Sequence, residues 1–348
     1  MSRAAVRRRQ EELQARRDRR VLLGTAGVLG ATVIIILVGL YMTVYRPPRE
    51  QVATISTHAV TAEDVADRAT FYMVSEGGAF SRESQDTPTL GLDRLVRDAV
   101  ILRQAPALVG EVTDADADAR AREVLGGLEG DAYGKALQDV LQRAGISQQQ
   151  YRDILKSRLL ADRLTERFKG EVPATLDERH LLRARTPSKV NADRVIERAK
   201  AGEDFTKLAQ QYGADRSLEV DQDWMPDELL TPETRDALAG LQAGDVSAPI
   251  PSGLFFDVFF VAGVENGRAV SDEQKGKLAS RRLDTWVTEQ EPNMMVMRNV
   301  SSGASTWITK QVTARVRKAF ANVPSSVPSS GQTVPLQQTI PVPSQGTP

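Results

Sequence analysis

The sequence predicts an α+β protein, and three observations carry that reading. Val21 to Tyr45 is a run without one charged side chain. Between Thr61 and Phe168, apolar residues recur at helical spacing behind Ser or Thr caps. From Glu178 to Val261 the order changes to strand, two helices joined by Ala-Gly, a charged loop, a third helix, a Gly-Asp-Val-Ser turn and a closing aromatic strand. A 3.6-residue period marks amphipathic helices, whereas β-branched and aromatic runs mark strands. With 348 residues, 41% of them hydrophobic and 26% charged, the chain suffices for about two compact domains plus extensions.

The uncharged run comes first. About 25 residues at ~1.5 Å rise are enough to cross a ~30 Å hydrocarbon core. A cleaved signal peptide has a shorter apolar stretch and ends in small residues, whereas this run ends in Tyr45-Arg46-Pro47-Pro48. Ahead of it stand Arg3, Arg7, Arg8, Arg9, Arg16, Arg17, Arg19 and Arg20 against Glu11, Glu12 and Asp18. Arginines just before a lone span follow the positive-inside rule, so they predict a cytoplasmic N-terminus rather than nucleic-acid binding. The chain beyond Arg46 is then extracytoplasmic, in a single-pass cell-membrane protein.

The exterior elements follow in order. Val52 to Val60 alternates as strands do, and Thr61 with Asp64 caps the next helix. A second helix spans about Leu90 to Leu108, with Leu92, Leu95, Val96, Ala99 and Leu102 on one side. Thr113 caps an Ala-rich helix through Val124, and Ser147 with Gln150 opens another that runs to Phe168. That last helix is apolar over more than half its circumference, so it is expected to be packed on several sides. After Glu265, Ser271 and Gln274 open a helix carrying Ala279, Leu283, Trp286 and Val287, with Trp307 expected in the same packing layer. From Val323 onward Pro, Ser, Gln and Thr dominate and charge vanishes, which predicts disorder.

Composition narrows the chemistry. There is no cysteine, which excludes disulfides, Cys-ligated zinc and a thiol nucleophile. His58 and His180 provide no zinc spacing, and neither a GxSxG elbow nor a Walker loop is present. No metal, nucleotide or other small-molecule cofactor is expected.

The words ERHLLRAR, AKAGEDFTKLAQQYGADRS, LAGLQAGDVSAPI and FFDVFFV, in that order, resemble the parvulin family of peptidyl-prolyl isomerases. VTAEDVADR, LVRDAVILRQA, VTDADADARA and GISQQQYRDILKSRLLADRL resemble the N-terminal helical domain of SurA- and PrsA-like chaperones, except that Ser56-Thr57-His58 replaces the usual Asn-Gly turn. The resemblance implies a parvulin-like domain with a small antiparallel sheet and helices, and a C-terminal helix packing back on the helical domain. The expected segments are 1–20 basic and cytoplasmic, 21–45 transmembrane, 46–175 SurA-N-like helical, 176–265 parvulin-like, 266–320 C-terminal helical and 321–348 a Pro/Ser-rich tail.

Peptide-bond rotation faces a barrier of about 18–20 kcal/mol. Lowering it needs no nucleophile, only an apolar socket for the proline ring and a polar setting that favours the twisted amide. By resemblance, His180 is the first-strand histidine, Asp215 stands at the Cys-or-Asp position after the second helix, and Ser252 at the Thr-or-Ser position before the last strand. His180 and Asp215 are expected to share a hydrogen bond beneath the substrate amide. Asp257 replaces the final-strand histidine, and Val220 to Trp224 replace a Gly-Gly-Asp-Leu-Gly loop, so the catalytic pattern is incomplete. Leu230 falls at a socket position, Thr234 where Phe is usual, and Trp224, Met225 and Phe256 are candidates to rebuild an apolar patch. His180 reads equally as a structural histidine bonded across the sheet, and Phe256, Phe259 and Phe260 as core.

Together these features predict a membrane-anchored extracytoplasmic folding factor that binds unfolded or newly exported polypeptides, with isomerase activity in question. The alternative is a non-enzymatic scaffold or docking subunit of a membrane complex.

Overall fold

The computed structural model describes residues 32, 34–41, 45–75, 87–215 and 219–321. The basic segment, most of the expected span and nearly all of the tail lie outside the described residues. Among the described residues, no helix is long and apolar enough to cross a membrane. Residues 34–40 are helical, and Ile34, Ile35, Ile36, Leu37 and Leu40 are all exposed.

The chain divides into two compact units, one of residues 1–102, 113–157 and 291–348, the other of 103–112 and 158–290. The first unit opens with a hairpin of β1 (Gln51–Ile55) and β2 (His58–Thr61), extended to the order β2-β1-β7 by the two-residue strand β7 (Met297–Arg298). Its turn replaces Asn-Gly by putting Ser56 at φ 55°, a left-handed conformation that costs a non-glycine residue about 1–2 kcal/mol. Two hydrogen bonds offset this, from the Ser56 N–H and hydroxyl to the Met294 carbonyl at 2.7 and 3.1 Å.

Helices α1 (Ala62–Ser75), α2 (Thr87–Gln104), α3 (Asp114–Val124), α4 (Gly130–Ala144) and α5 (Gln148–Glu171) follow. The caps at Thr61, Thr113 and Ser147 form as expected: each side chain accepts from the backbone N–H three residues on, and Asp64, Asp116 and Gln150 accept from the cap N–H in return. The second helix ends at Gln104 rather than Leu108, because Pro106 cannot donate to the helix ladder; a short turn, Pro106–Val109, follows. Gly91 lets α2 approach α1, since a Cβ there would stand 2.5 Å from the Val65 carbonyl oxygen.

Phe71, Ala117, Ala121, Leu137, Tyr151, Ile154 and Leu155 share this unit's core. The last helix, α10 (Ser302–Ala321), packs on α1 and α4 through Ala304, Ile308, Val312 and Val316; Trp307 is only half-buried beside them. Polar ties cross the same core. Asp67 on α1 accepts from Arg315 on α10 at 2.5 Å and from Gln150 on α5 at 3.2 Å. Burial pushes its carboxyl up, and Arg315 opposes that shift.

The second unit contains the latter part of α5 and a four-stranded antiparallel sheet, order β4-β3-β6-β5. Its strands are β3 (Thr175–Thr186), β4 (Asp221–Pro226), β5 (Ile250–Ser252) and β6 (Phe255–Ala269). Between them lie α6 (Lys189–Lys200), α7 (Phe205–Tyr212) and α8 (Pro232–Leu238); α9 (Asp272–Gln290) closes the unit behind the Ser271–Gln274 capping box. The segment 266–320 is thus divided, with α9 in the second unit and α10 in the first.

The expected charged loop at 220–224 is largely strand. Two residues of β4, Gln222 and Asp223, oppose one of β3, Leu181, between the pairs His180–Trp224 and Leu182–Asp221, with Asp223 at φ 58°. That is a β-bulge, an extra residue absorbed within one strand.

Candidate functional site

Strand β3 lies inside the sheet and its side chains alternate between two faces. Leu182 and Ala184 join Val258, Val195, Phe205 and Leu208 beneath α6 and α7. Leu181 joins Phe259, Val261, Leu230, Leu238 and Ile250 on the α8 face. Arg179 shares this second face: its guanidinium donates to Asp227 at 3.0 Å and to the Leu238 and Leu241 carbonyls at 2.9 and 3.2 Å, which holds the end of α8.

Farther along this second face lies a groove of about 350 Å³. Arg183, Arg185 and Asp257 line it, with Ser252 on β5, Thr231 and Thr234 at the start of α8, and Gln222 and Met225 on either side of the β4 bulge. Leu230, Ile250 and Phe259 supply apolar wall. Arg185 donates to both oxygens of Asp257 at 2.8 Å and to the Ser252 hydroxyl at 3.2 Å. The bond to Asp257 raises the Arg185 pKa. Burial instead lowers the pKa of Arg183.

Of the residues expected to form the site, four meet here: Ser252, Asp257, Met225 and Leu230. The others do not. His180 falls on the α6–α7 face by alternation with Leu182 and Ala184, and the residue directed to the groove side at this level is Leu181. The His180 ring stacks on Trp224 at 5.5 Å, and its Nε2 lies 2.8 Å from Asp221 rather than from Asp215. Asp215 is exposed after α7, where the Ala214 N–H donates to the Arg185 carbonyl at 2.7 Å. That tie is five residues along β3 from His180, about 16 Å at ~3.3 Å rise. The expected His180–Asp215 hydrogen bond is therefore corrected, because they belong to different levels of the strand.

Trp224 is held between His180 and Arg268, whose guanidinium lies 4.4 Å from the ring centroid, and does not line the groove. Phe256 packs with Val258 and Phe260 in the α6–α7 core. Thr234 is buried and hydrogen-bonds Thr231 at 3.0 Å, so the wall is polar where an aromatic was usual by resemblance. Arg183 and Arg185 were missed by sequence reasoning. Their signal was present, since Arg-x-Arg on a strand puts both cations on one face.

Chemically, the groove presents a guanidinium pair, one carboxylate bound to one of them, hydroxyls and a modest apolar wall. It suits backbone and side-chain recognition of an extended chain. With Asp257 engaged at both oxygens, no described residue of the groove is arranged as a proton-transfer catalyst.

Residues 171–274 match the family model described as the PPIC-type PPIASE domain. The chaperone SurA of Pseudomonas syringae pv. tomato is 27% identical over 119 residues, covering 31% of this chain and 28% of that protein. SurA of Pseudomonas fluorescens is 28% identical over a stretch of the same length. The chain thus spans under a third of the length of these curated relatives. Among solved structures, the peptidylprolyl isomerase PrsA from Bacillus anthracis aligns over 66% of this chain and 96% of its own, at 17% identity and a TM-score of 0.38. A SurA-like chaperone of Campylobacter jejuni aligns over 71% and 97%, at 12% identity and a TM-score of 0.25. Residues 171–274 carry a parvulin-type domain. The chain is a SurA/PrsA-like protein of that type.

Proposed function

We propose that the chain is a membrane-anchored, extracytoplasmic folding factor that holds unfolded or newly exported polypeptides, and that its parvulin-type domain binds peptide without serving as an isomerase. One observation carries this reading: Asp257 is locked to Arg185 in the groove, while His180 lies on the opposite face of the sheet. An isomerase site needs polar groups and an apolar socket acting on one amide. Here Ser252, Met225 and Leu230 remain as groove walls, His180 is held by Asp221 and Trp224, and Asp215 lies exposed after α7.

The proposed organisation keeps a helical chaperone domain over 46–175, a parvulin-like domain over 176–265 and a C-terminal helical segment over 266–320. Membrane attachment rests on the uncharged Val21–Tyr45 run and on the exposed apolar side chains of residues 34–40.

The test uses the full chain in detergent. It is expected to slow aggregation of a chemically unfolded client at stoichiometric ratio and to leave the rate of a proline-limited refolding reaction at the buffer value. If the client aggregates at its own rate, the holdase reading fails and the docking-subunit reading replaces it. A refolding rate well above buffer restores the enzyme. Carbonate extraction of membranes containing the chain tests the anchor; release into the supernatant overturns it.

A further inference from the structure

Arg183 is the unexplained group in the groove. It is half-buried on an interior strand, and among the described residues its side chain has neither an ion pair nor a hydrogen bond. A guanidinium brings five N–H donors, and withdrawing it from water without a partner is costly. Both carboxylates lining the groove are otherwise engaged. Asp257 gives its two oxygens to Arg185. Glu233 sits at the start of α8, where its own backbone N–H and the Thr231 hydroxyl hold its carboxyl below the usual range. Burial lowers the Arg183 pKa; the charge of Asp257 opposes that shift only in part, and Arg185 adds to it.

We propose that Arg183 is a specificity residue, seating the carboxylate of an Asp or Glu side chain in an extended polypeptide bound along the groove. The proposal rests on the peptide-binding reading above. Three features select this ligand. Arg185 and Asp257 neutralise each other and Glu233 is held at the start of α8, so Arg183 is a single cation that suits one monoanion better than a dianionic phosphate. Met225, Leu230 and Phe259 provide wall for a neighbouring apolar side chain. The β5–β6 turn next to Ser252 carries Leu254, 84% exposed, and Phe255, 38% exposed, which extend an apolar rim for the same chain.

Fluorescent peptides of sequence Ala-Leu-Xaa-Pro-Leu-Ala, with Xaa as Glu, Gln or Lys, test this by anisotropy titration against the full chain in detergent. The Glu peptide is expected to bind about tenfold tighter than the Gln peptide, and the Lys peptide weakest; the order of magnitude is that of one charge-assisted contact. Arg183→Gln is expected to bring the Glu peptide down to the Gln value while leaving the Gln peptide unchanged, and Arg183→Lys to retain part of the preference. Because the Arg183 side chain makes no ion pair or hydrogen bond with another described residue, both variants should keep the wild-type circular dichroism spectrum. Equal wild-type affinity for the Glu and Gln peptides, or a Glu preference that survives Arg183→Gln, overturns the Arg183 assignment and leaves peptide binding standing. Failure of all three peptides to bind the wild type overturns both readings.

Discussion

The two faces of the four-stranded sheet are built from the same strands and do opposite work. On one, Leu182, Ala184, Val258 and Phe260 are covered by α6 and α7, and His180 and Trp224 continue that face toward the sheet's other end. On the other, Leu181, Phe259 and Val261 make a smaller core with α8, and the strand then carries Arg183 and Arg185 into a groove. A shift of one residue along β3 exchanges these environments. His180, in a word that resembles the parvulins, thus sits on the face of β3 opposite the groove.

Predictions on the two faces differ in size. Leu208→Ala, beneath the helix-covered face and 1% exposed, should cost the most, about 2–5 kcal/mol, measured by urea denaturation of the full chain. Arg185→Leu should follow, at about 2–3 kcal/mol, because it strands the nearly buried Asp257; partial exposure of Arg185 keeps the cost below that of a fully buried pair. The double variant Arg185→Leu/Asp257→Leu should regain most of that loss, and additive losses would show that the two side chains do not act as a pair.

Smaller effects are expected at the rim of the helix-covered face. A Cβ at Gly263 would lie 2.9 Å from the Trp224 ring, so Gly263→Ala should cost about 1–2 kcal/mol unless the indole swings away. Loss of the Trp fluorescence change on unfolding would reveal such a swing. His180→Ala should cost about 1 kcal/mol or less and should leave client holding and peptide affinity at wild-type values. A strong loss of either would return His180 to the functional site.

The smallest effect is a pH dependence. The Asp223 N–H, ahead of His180, holds the Asp221 carboxyl below the usual range. A lowered carboxyl pKa contributes stability that is present above the unfolded-state value and is lost as pH falls through the folded one. Asp221→Asn should therefore flatten the acid side of the stability profile, below about pH 4, and leave the neutral region almost unchanged. Thermal melts across that range would detect it, and a profile parallel to wild type would exclude the contribution.

Much of the fold was legible because it is local. The caps at Thr61, Thr113, Ser147 and Ser271 are written in four consecutive residues each, and they form. The boundary at Pro106 is equally local, although apolar spacing continues past it. The site was less legible. Ser252, Asp257, Met225 and Leu230 line one groove, but which face receives His180 depends on partners from 224 to 263.

By itself, then, the sequence determined the α+β order, the helix starts, the uncharged segment and the parvulin-type wording, because each depends on neighbours a few residues apart. The tertiary structure decided the rest. It chose the covered face of β3, absorbed the replaced glycine loop as a bulge at Asp223, and paired Asp257 with Arg185 across the sheet. Strand register and helix placement join residues some forty to eighty positions apart, and no local pattern specifies which of two alternating faces will be buried.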